Sequence, residues 1–347
     1  MYKEIEVQTA NGIRGINQES LFIVAEVGNQ FNGDLETAKK LALVAKEAGA
    51  DAVKYIFWFP DEIMAEDIPY TYETVGGLKT ESMKGLLNKL RLPLHEWAEV
   101  KHYCDKIEII MMSTVNCFGA YDYALDLGLP IIKLSSWDWN FTDLWRWCAR
   151  TMLPCIADLG PVTEEEVKKN VDLFLEEKSK SLMFLHCTHG EKMNMSSISY
   201  LRDKFDCITG YSSSGRNDET DIMSIGLGAC ILEKRLTLDR KGGVLHDAIS
   251  KEPDEFKDYV TQMRKLKSAL GDYGINQSKE DWAERPKWFR RVVVNSPIGE
   301  GDPVLRHELE CKRGETGFPP ERIWEIVGKI AKHDMPANYD ITLEDVE

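Results

Sequence analysis

The chain has no run of eighteen consecutive apolar residues, no apolar core in its first stretch, MYKEIEVQTANG, and no Cys-x-x-Cys pair. The first absence argues against a membrane-spanning helix and the second against a secretory signal, so the expected location is the cytoplasm, with no membrane partner. The eight cysteines (Cys104, Cys117, Cys148, Cys155, Cys187, Cys207, Cys230 and Cys311) are scattered. That spacing predicts reduced, mostly buried thiols in place of disulfides or a zinc cage. Positive charge is also scarce, with 43 Lys and Arg against 58 Asp and Glu and a net charge of -15. Such a balance repels phosphate backbones and anionic lipid, so nucleic acid is not an expected partner. It leaves room for a local cationic pocket around a small anion.

What is present is alternation of short β-branched and apolar runs with amphipathic helical stretches. The runs are FIVAEV (22–27), AVKYIF (52–57), IEIIMM (107–112), PIIKLS (130–135), PCIAD (154–158), SLMFLHC (181–187), CITGYS (207–212) and ILEKRLT (231–237). After the first, Asp34 is placed as an N-cap, and Ala38, Leu41, Ala42, Ala45 and Ala48 follow helical spacing up to Gly49. A Thr-x-x-Glu capping box stands at Thr163–Glu166. Eight such units predict an α/β fold, a (β/α)8 TIM barrel over residues 1–272. A polar connector of little periodicity (273–288) then leads to a small β-rich unit (289–347), closed by a short helix in ERIWEIVGKI.

Active sites in such barrels sit at the C-terminal ends of the strands. The positions there are Glu26, Lys54, Ser113 with Thr114, Lys133 with Ser135 and Ser136, Asp138, Asp158, His186 with His189, Ser212 to Ser214, and Glu233 with Arg235. Two lysines and several hydroxyls on one rim make a small-anion site, and carboxylates beside them supply acids and bases. Each charge taken singly also reads as an inter-strand salt bridge. Gathering so many polar groups at one end costs several kcal/mol unless they are paired or used. Trp137 and Trp139 flank the rim and read either as packing or as a stacking surface.

The segments IVAEVGNQFNGDLETAKKLALVAKEAGADAVKY, KLSSWDWN, FLHCT, ITGYSSS, LGACILEKRLTLDR, SKEPDEF and CKRGETGFPP together resemble the sialic acid (N-acetylneuraminate) synthases and their relatives for legionaminic, pseudaminic and spore-coat sugars. The resemblance runs in order along nearly the whole chain and includes that family's C-terminal antifreeze-like (SAF) domain. It implies condensation of phosphoenolpyruvate with the open-chain aldehyde of an N-acylated hexosamine, giving a nonulosonic acid and phosphate. It also implies a homodimer in which each SAF domain covers the partner's barrel. By the same resemblance Glu26 is expected near the reacting sugar, and Lys54, Thr114, Lys133 and Ser136 are expected to bind phosphoenolpyruvate. Asp138 stands where relatives often have Glu, Glu233 matches the glutamate of the eighth strand, and Arg313 matches the arginine extended toward the sugar.

The chain departs from that pattern at the metal. Where relatives read S-D-H-T it has Ser212, Ser213, Ser214 and Gly215, and where they read E-[KR]-H-F it has Arg235. With both imidazoles replaced, the manganese or magnesium site of the family is expected to be lost, and no cofactor is expected. Asp158 replaces the serine of S-T-G, putting a carboxylate where phosphate is expected. At ~4 Å and an effective dielectric near 20, like charges cost about 4 kcal/mol per pair, so Asp158 must be neutral, turned away or paired, with Arg235 or Arg216 as candidate partners. His189 takes the place of an asparagine and His246, followed by Asp247, that of an aspartate. A substitute metal set of His186, His189, His246 and Asp247 is one reading of these changes. Arg235, with His246, supplying the metal's positive charge is another. Beside the synthase reading stand a metal-free aldolase using Lys54 or Lys133 as a Schiff base on another keto acid, and a noncatalytic sugar-binding scaffold.

Overall fold

Two strands precede the first predicted one. β1 (Glu4–Thr9) and β2 (Gly12–Asn17) form an antiparallel hairpin in the computed structural model, which describes residues 4–188, 190–272, 274–314 and 317–347. The barrel begins with β3 (Phe22–Glu26) and β4 (Ala52–Ile56), and a second hairpin, β5 (Pro69–Thr74) with β6 (Gly77–Ser82), follows. It continues with β7 (Ile110–Val115), β8 (Ile132–Leu134), β9 (Cys155–Leu159), β10 (Leu182–His186), β11 (Thr209–Ser212) and β12 (Ile231–Arg235). β3, β4 and β7 to β12 are parallel and β12 pairs with β3, closing an eight-stranded barrel. Each predicted run supplies one strand.

The helices form where the sequence signals them. Asp34 accepts a 2.7 Å hydrogen bond from the Thr37 N–H, and Ala38, Leu41, Ala42 and Ala45 are buried against the sheet. Thr163 and Glu166 form the capping box. One strand differs in register from the expectation. The run at 107–112 yields a strand only from Ile110, because Glu108 adopts φ 59° and the Ile109 N–H bonds back to Cys104 O, so 107–109 close the preceding helix.

Strand alternation divides the core in two. Phe22, Val24, Met112, Ile156 and Leu185 point into the barrel, and Ile5, Val7 and Ile16 of the β1–β2 hairpin join that same cluster. The hairpin therefore stops the N-terminal end, opposite the expected site. The outward residues pack under the helices. Gly210 lies where a Cβ would stand 2.2 Å from Ile231 O, so β11 and β12 need glycine there.

The chain divides into two compact units, Met1–Gly271 and Asp272–Glu347. The connector expected to lack structure carries a helix, Lys279–Trp288, opened by a Ser278–Asp281 capping box. None of its residues is buried, so it has no apolar stripe for periodicity to detect. The second unit pairs β13 (Arg290–Val294) with β14 (Leu309–Arg313) over a core that includes Val292, Val294, Val304 and Ile326. Its expected terminal helix is a 3₁₀ segment, Pro320–Glu325, following Pro319. Among the described residues no helix is long and apolar enough to cross a membrane.

Candidate active site

Above the apolar layers, the inward residues turn polar at the C-terminal ends of the strands. Glu26 (β3), Lys54 (β4), Thr114 (β7), Lys133 (β8) and Glu233 (β12) are all buried. They are paired across the barrel. Lys54 contacts the Glu26 carboxylate, donates to Thr114 Oγ1 at 3.2 Å and lies 3.6 Å from Glu233 Oε1. Lys133 lies 2.7 Å from Glu233 Oε2 and 2.8 Å from Asp158 Oδ1. Glu26 also accepts from the Gly28 N–H at 2.8 Å. Glu233 thus bridges the two lysines.

These contacts set the charges. Burial would raise the Glu233 carboxyl, but the Lys133 and Lys54 ammonium groups outweigh it and bring it down to about 2. Burial likewise opposes charge on Lys133, and Asp158 and Glu233 hold its pKa above the usual lysine range. Asp158 goes the other way. Burial, helped by Glu233, pushes it up to about 6 against the pull of Lys133. Its Oδ1 contacts the Lys133 ammonium at 2.8 Å.

The three serines following Gly210 and Tyr211 divide their work. Ser212 donates to Glu233 Oε1 at 3.1 Å, Ser213 accepts from Lys234 at 2.8 Å, and Ser214 lines a small cavity of about 20 Å³. Lys234 is the outward residue of β12, and its bonds to Ser213, Asn217 O and Asp221 fasten the serine loop from behind. Glu26, Cys187, Ser212, Ser213, Glu233 and Arg235 complete the cavity wall. Arg235 donates to His246 Nδ1 at 3.0 Å, and Asn29 reaches the same nitrogen at 3.2 Å. The Trp58 indole N–H fixes Asn29 in turn. The Arg235 Nε–H is buried without a hydrogen-bond partner among the described residues.

Several expectations are corrected. The partner of Asp158 is Lys133, its neighbour on β8, and neither Arg235 nor Arg216. His186 faces outward: it stacks on Tyr211 and donates from Nε2 to Met193 O at 2.6 Å, while Cys187, one residue on and absent from the sequence-based set, reaches the cavity. Burial, with Asp158 and Glu233 nearby, pushes the Cys187 thiol to about 12, so it is no nucleophile at neutral pH. His246 Nδ1 faces a guanidinium, which has no acceptor, so this nitrogen accepts and the ring does not add the positive charge expected of it. Asp247 is spent on Thr237 Oγ1 and the Val244 N–H. Trp139 packs against Trp145 and Phe184, whereas Trp137 is exposed.

Two other expected members of the first unit, Asp138 and Ser136, do not line the cavity. Asp138 is in the loop after β8, where burial raises its carboxyl to about 6. Ser136 packs its backbone on Gly160, where a Cβ would stand 2.6 Å from Ser136 O. Arg313 ends β14 in the second unit, with its guanidinium 5.7 Å from the Trp288 ring. His189 lies outside the described residues.

Among the described residues the donors of this cluster are already engaged. The carboxylates are bound to lysines, His246 Nδ1 is occupied by Arg235 and Asn29, and a guanidinium stands at the rim. Among the described residues no three His, Cys, Asp or Glu side chains are grouped to hold a metal.

Comparison with known proteins places the chain among sugar-acid synthases. Residues 41–274 match the NeuB family. The chain is 30% identical to the N,N'-diacetyllegionaminic acid synthase of Campylobacter jejuni, over 89% of its own length and 95% of that protein. It is 28% identical to the N-acetylneuraminate-9-phosphate synthase of Homo sapiens, over 94% and 92% of the two chains. Among solved structures, the N-acetylneuraminic acid synthetase of Leptospira borgpetersenii, crystallised with citrate, superposes with a TM-score of 0.71 at 24% identity, covering 82% of this chain and 96% of that one. The spore coat polysaccharide biosynthesis protein of Bacillus subtilis gives 0.63 at 23% identity over 99% of both chains. At these identities the structural likenesses carry the fold.

Proposed function

Because this chain belongs to the NeuB family, we propose that it is a carbon–carbon bond-forming synthase that condenses phosphoenolpyruvate with the aldehyde of an N-acylated hexosamine to give a nonulosonic acid, and that it does so without a metal. Lys54, Thr114 and Lys133 present cationic and hydroxyl donors to the carboxylate and phosphate oxygens, and Glu233 keeps the two lysines apart and oriented. The enol carbon attacks the aldehyde, water adds to the resulting cation, and phosphate leaves. Arg235 stabilises the charge that develops on oxygen as the new bond forms. The observation that carries this reading is the Arg235 Nε–H, a buried donor without a partner among the described residues, beside the lysine–carboxylate cluster.

A Schiff base at Lys133 is disfavoured, because two carboxylates hold that amine protonated and a protonated amine cannot attack a carbonyl. A noncatalytic scaffold gives no reason to keep six charged groups at one barrel end. The antifreeze-like identity of the second unit, a role for Arg313 at the partner's sugar, a homodimer and a cytoplasmic location belong to the same proposal. A solution mass of twice the 39.6 kDa chain is what the dimer requires.

The test offers the protein phosphoenolpyruvate with a panel of mono- and diacetylated amino hexoses, in EDTA and in manganese, and follows phosphate release and the mass of the acid product. We expect turnover with one sugar class, unchanged by the chelator. Absence of phosphate release with every sugar defeats the synthase reading. Loss of turnover in EDTA with recovery in manganese defeats its metal-free part.

A further inference from the structure

The inward charges of the barrel mouth cancel. Lys54, Lys133 and Arg235 face Glu26, Asp158 and Glu233. A phosphorylated carboxylic acid entering this cluster therefore meets no surplus positive charge while all three carboxylates are ionised. An oxygen bound to Lys133 also comes close to Asp158, which already contacts that ammonium. Some group must give up a negative charge.

The three carboxylates are not equal candidates. Glu233 is held ionised by Lys133, by Lys54 and by the Ser212 hydroxyl. Glu26 is held by Lys54 and by the Gly28 N–H. Each of these two has at least two donors or cations on its carboxylate. Asp158 has one cationic contact, from Lys133 on β8, and its carboxylate has no second donor among the described residues. The other groups acting on it are Glu233 of β12, which opposes its charge, Lys54 of β4, which favours it, and the un-ionised Cys187 thiol after β10.

We infer that Asp158 makes anion binding proton-linked, so that the pocket takes up one proton at this carboxylate when phosphoenolpyruvate enters. The inference rests on the phosphoenolpyruvate reading above. Burial has already brought the empty pocket's Asp158 to about 6, so the proton is taken up readily near neutral pH. The bound anion raises it further. Between these two values the complex carries a proton that the free protein lacks, so affinity falls as pH rises through that window and levels off below it.

The test is calorimetry with phosphoenolpyruvate at pH 7.5 in two buffers of different ionisation enthalpy, on the wild type, Asp158→Asn and Asp158→Ser. The ligand's own phosphate titration is common to all three and cancels in the difference. The wild type is expected to take up roughly one proton more than either variant, and its Kd to weaken by about tenfold per pH unit relative to theirs above neutrality. Equal proton counts in the wild type and a folded variant overturn the inference and leave the synthase reading standing. Binding to none of the three overturns both.

Discussion

Replacing Lys133 with methionine abolishes measurable turnover and lowers the unfolding free energy by about 3–5 kcal/mol at neutral pH, the usual cost of stripping one partner from a buried ion pair. The side chain is fully enclosed, and its ammonium is shared by Asp158 and Glu233, so both carboxylates lose their nearest cation while the volume is nearly conserved. The damage has a pH signature. An unpaired buried carboxylate has its folded-state pKa raised, which makes the folded chain hold protons that the unfolded chain releases. The deficit is therefore smallest near pH 5, where Asp158 is protonated, and grows as pH rises through about 6 and beyond. Urea denaturation at pH 5 and pH 8 measures it, with an unchanged m-value showing that the native state remains compact. A variant as stable as the wild type at pH 8 would mean that Lys133 is not the keystone of the cluster.

Arg235→Ala gives the second large effect, with opposite character. Its guanidinium donates to neutral His246 and forms no ion pair with a carboxylate among the described residues. Stability is therefore expected to change by no more than about 1 kcal/mol. The rate constant kcat should fall by about 10²–10³, the range found on deleting one preorganised donor to a developing oxyanion. Arg235→Lys should recover only part of it, because a point ammonium lacks the planar fork. Steady-state kinetics with saturating substrates distinguish this from simple loss of affinity. If kcat is retained and only KM rises, Arg235 binds a ground-state group and has no part in the transition state.

Much of this was legible in the residues. Eight β-branched and apolar runs separated by amphipathic helices specify the barrel, and alternation within each run, apolar at its start and polar toward its end, marks which charges face inward. The polar rim is readable strand by strand. Its pairing is not, because Asp158 meets Lys133 only through the neighbouring registers of β8 and β9, a contact with no local signature. The exchange of His186 for Cys187 shows how sharp the limit is. A one-residue difference along a strand reverses the face, and a run ending Leu-His-Cys offers two plausible last residues. The helix at 279–288 escaped because its capping box stands without an apolar stripe, and the 107–109 turn because isoleucines close a helix as readily as they begin a strand.

The β1–β2 hairpin settles a matter of traffic. With Ile5, Val7 and Ile16 seated among the inward side chains at the closed end, the barrel is a blind well. On the synthase reading proposed above, reactants and products share the strand-end mouth, so whichever molecule rests on the lysines has to arrive before, and depart after, anything lodged above it.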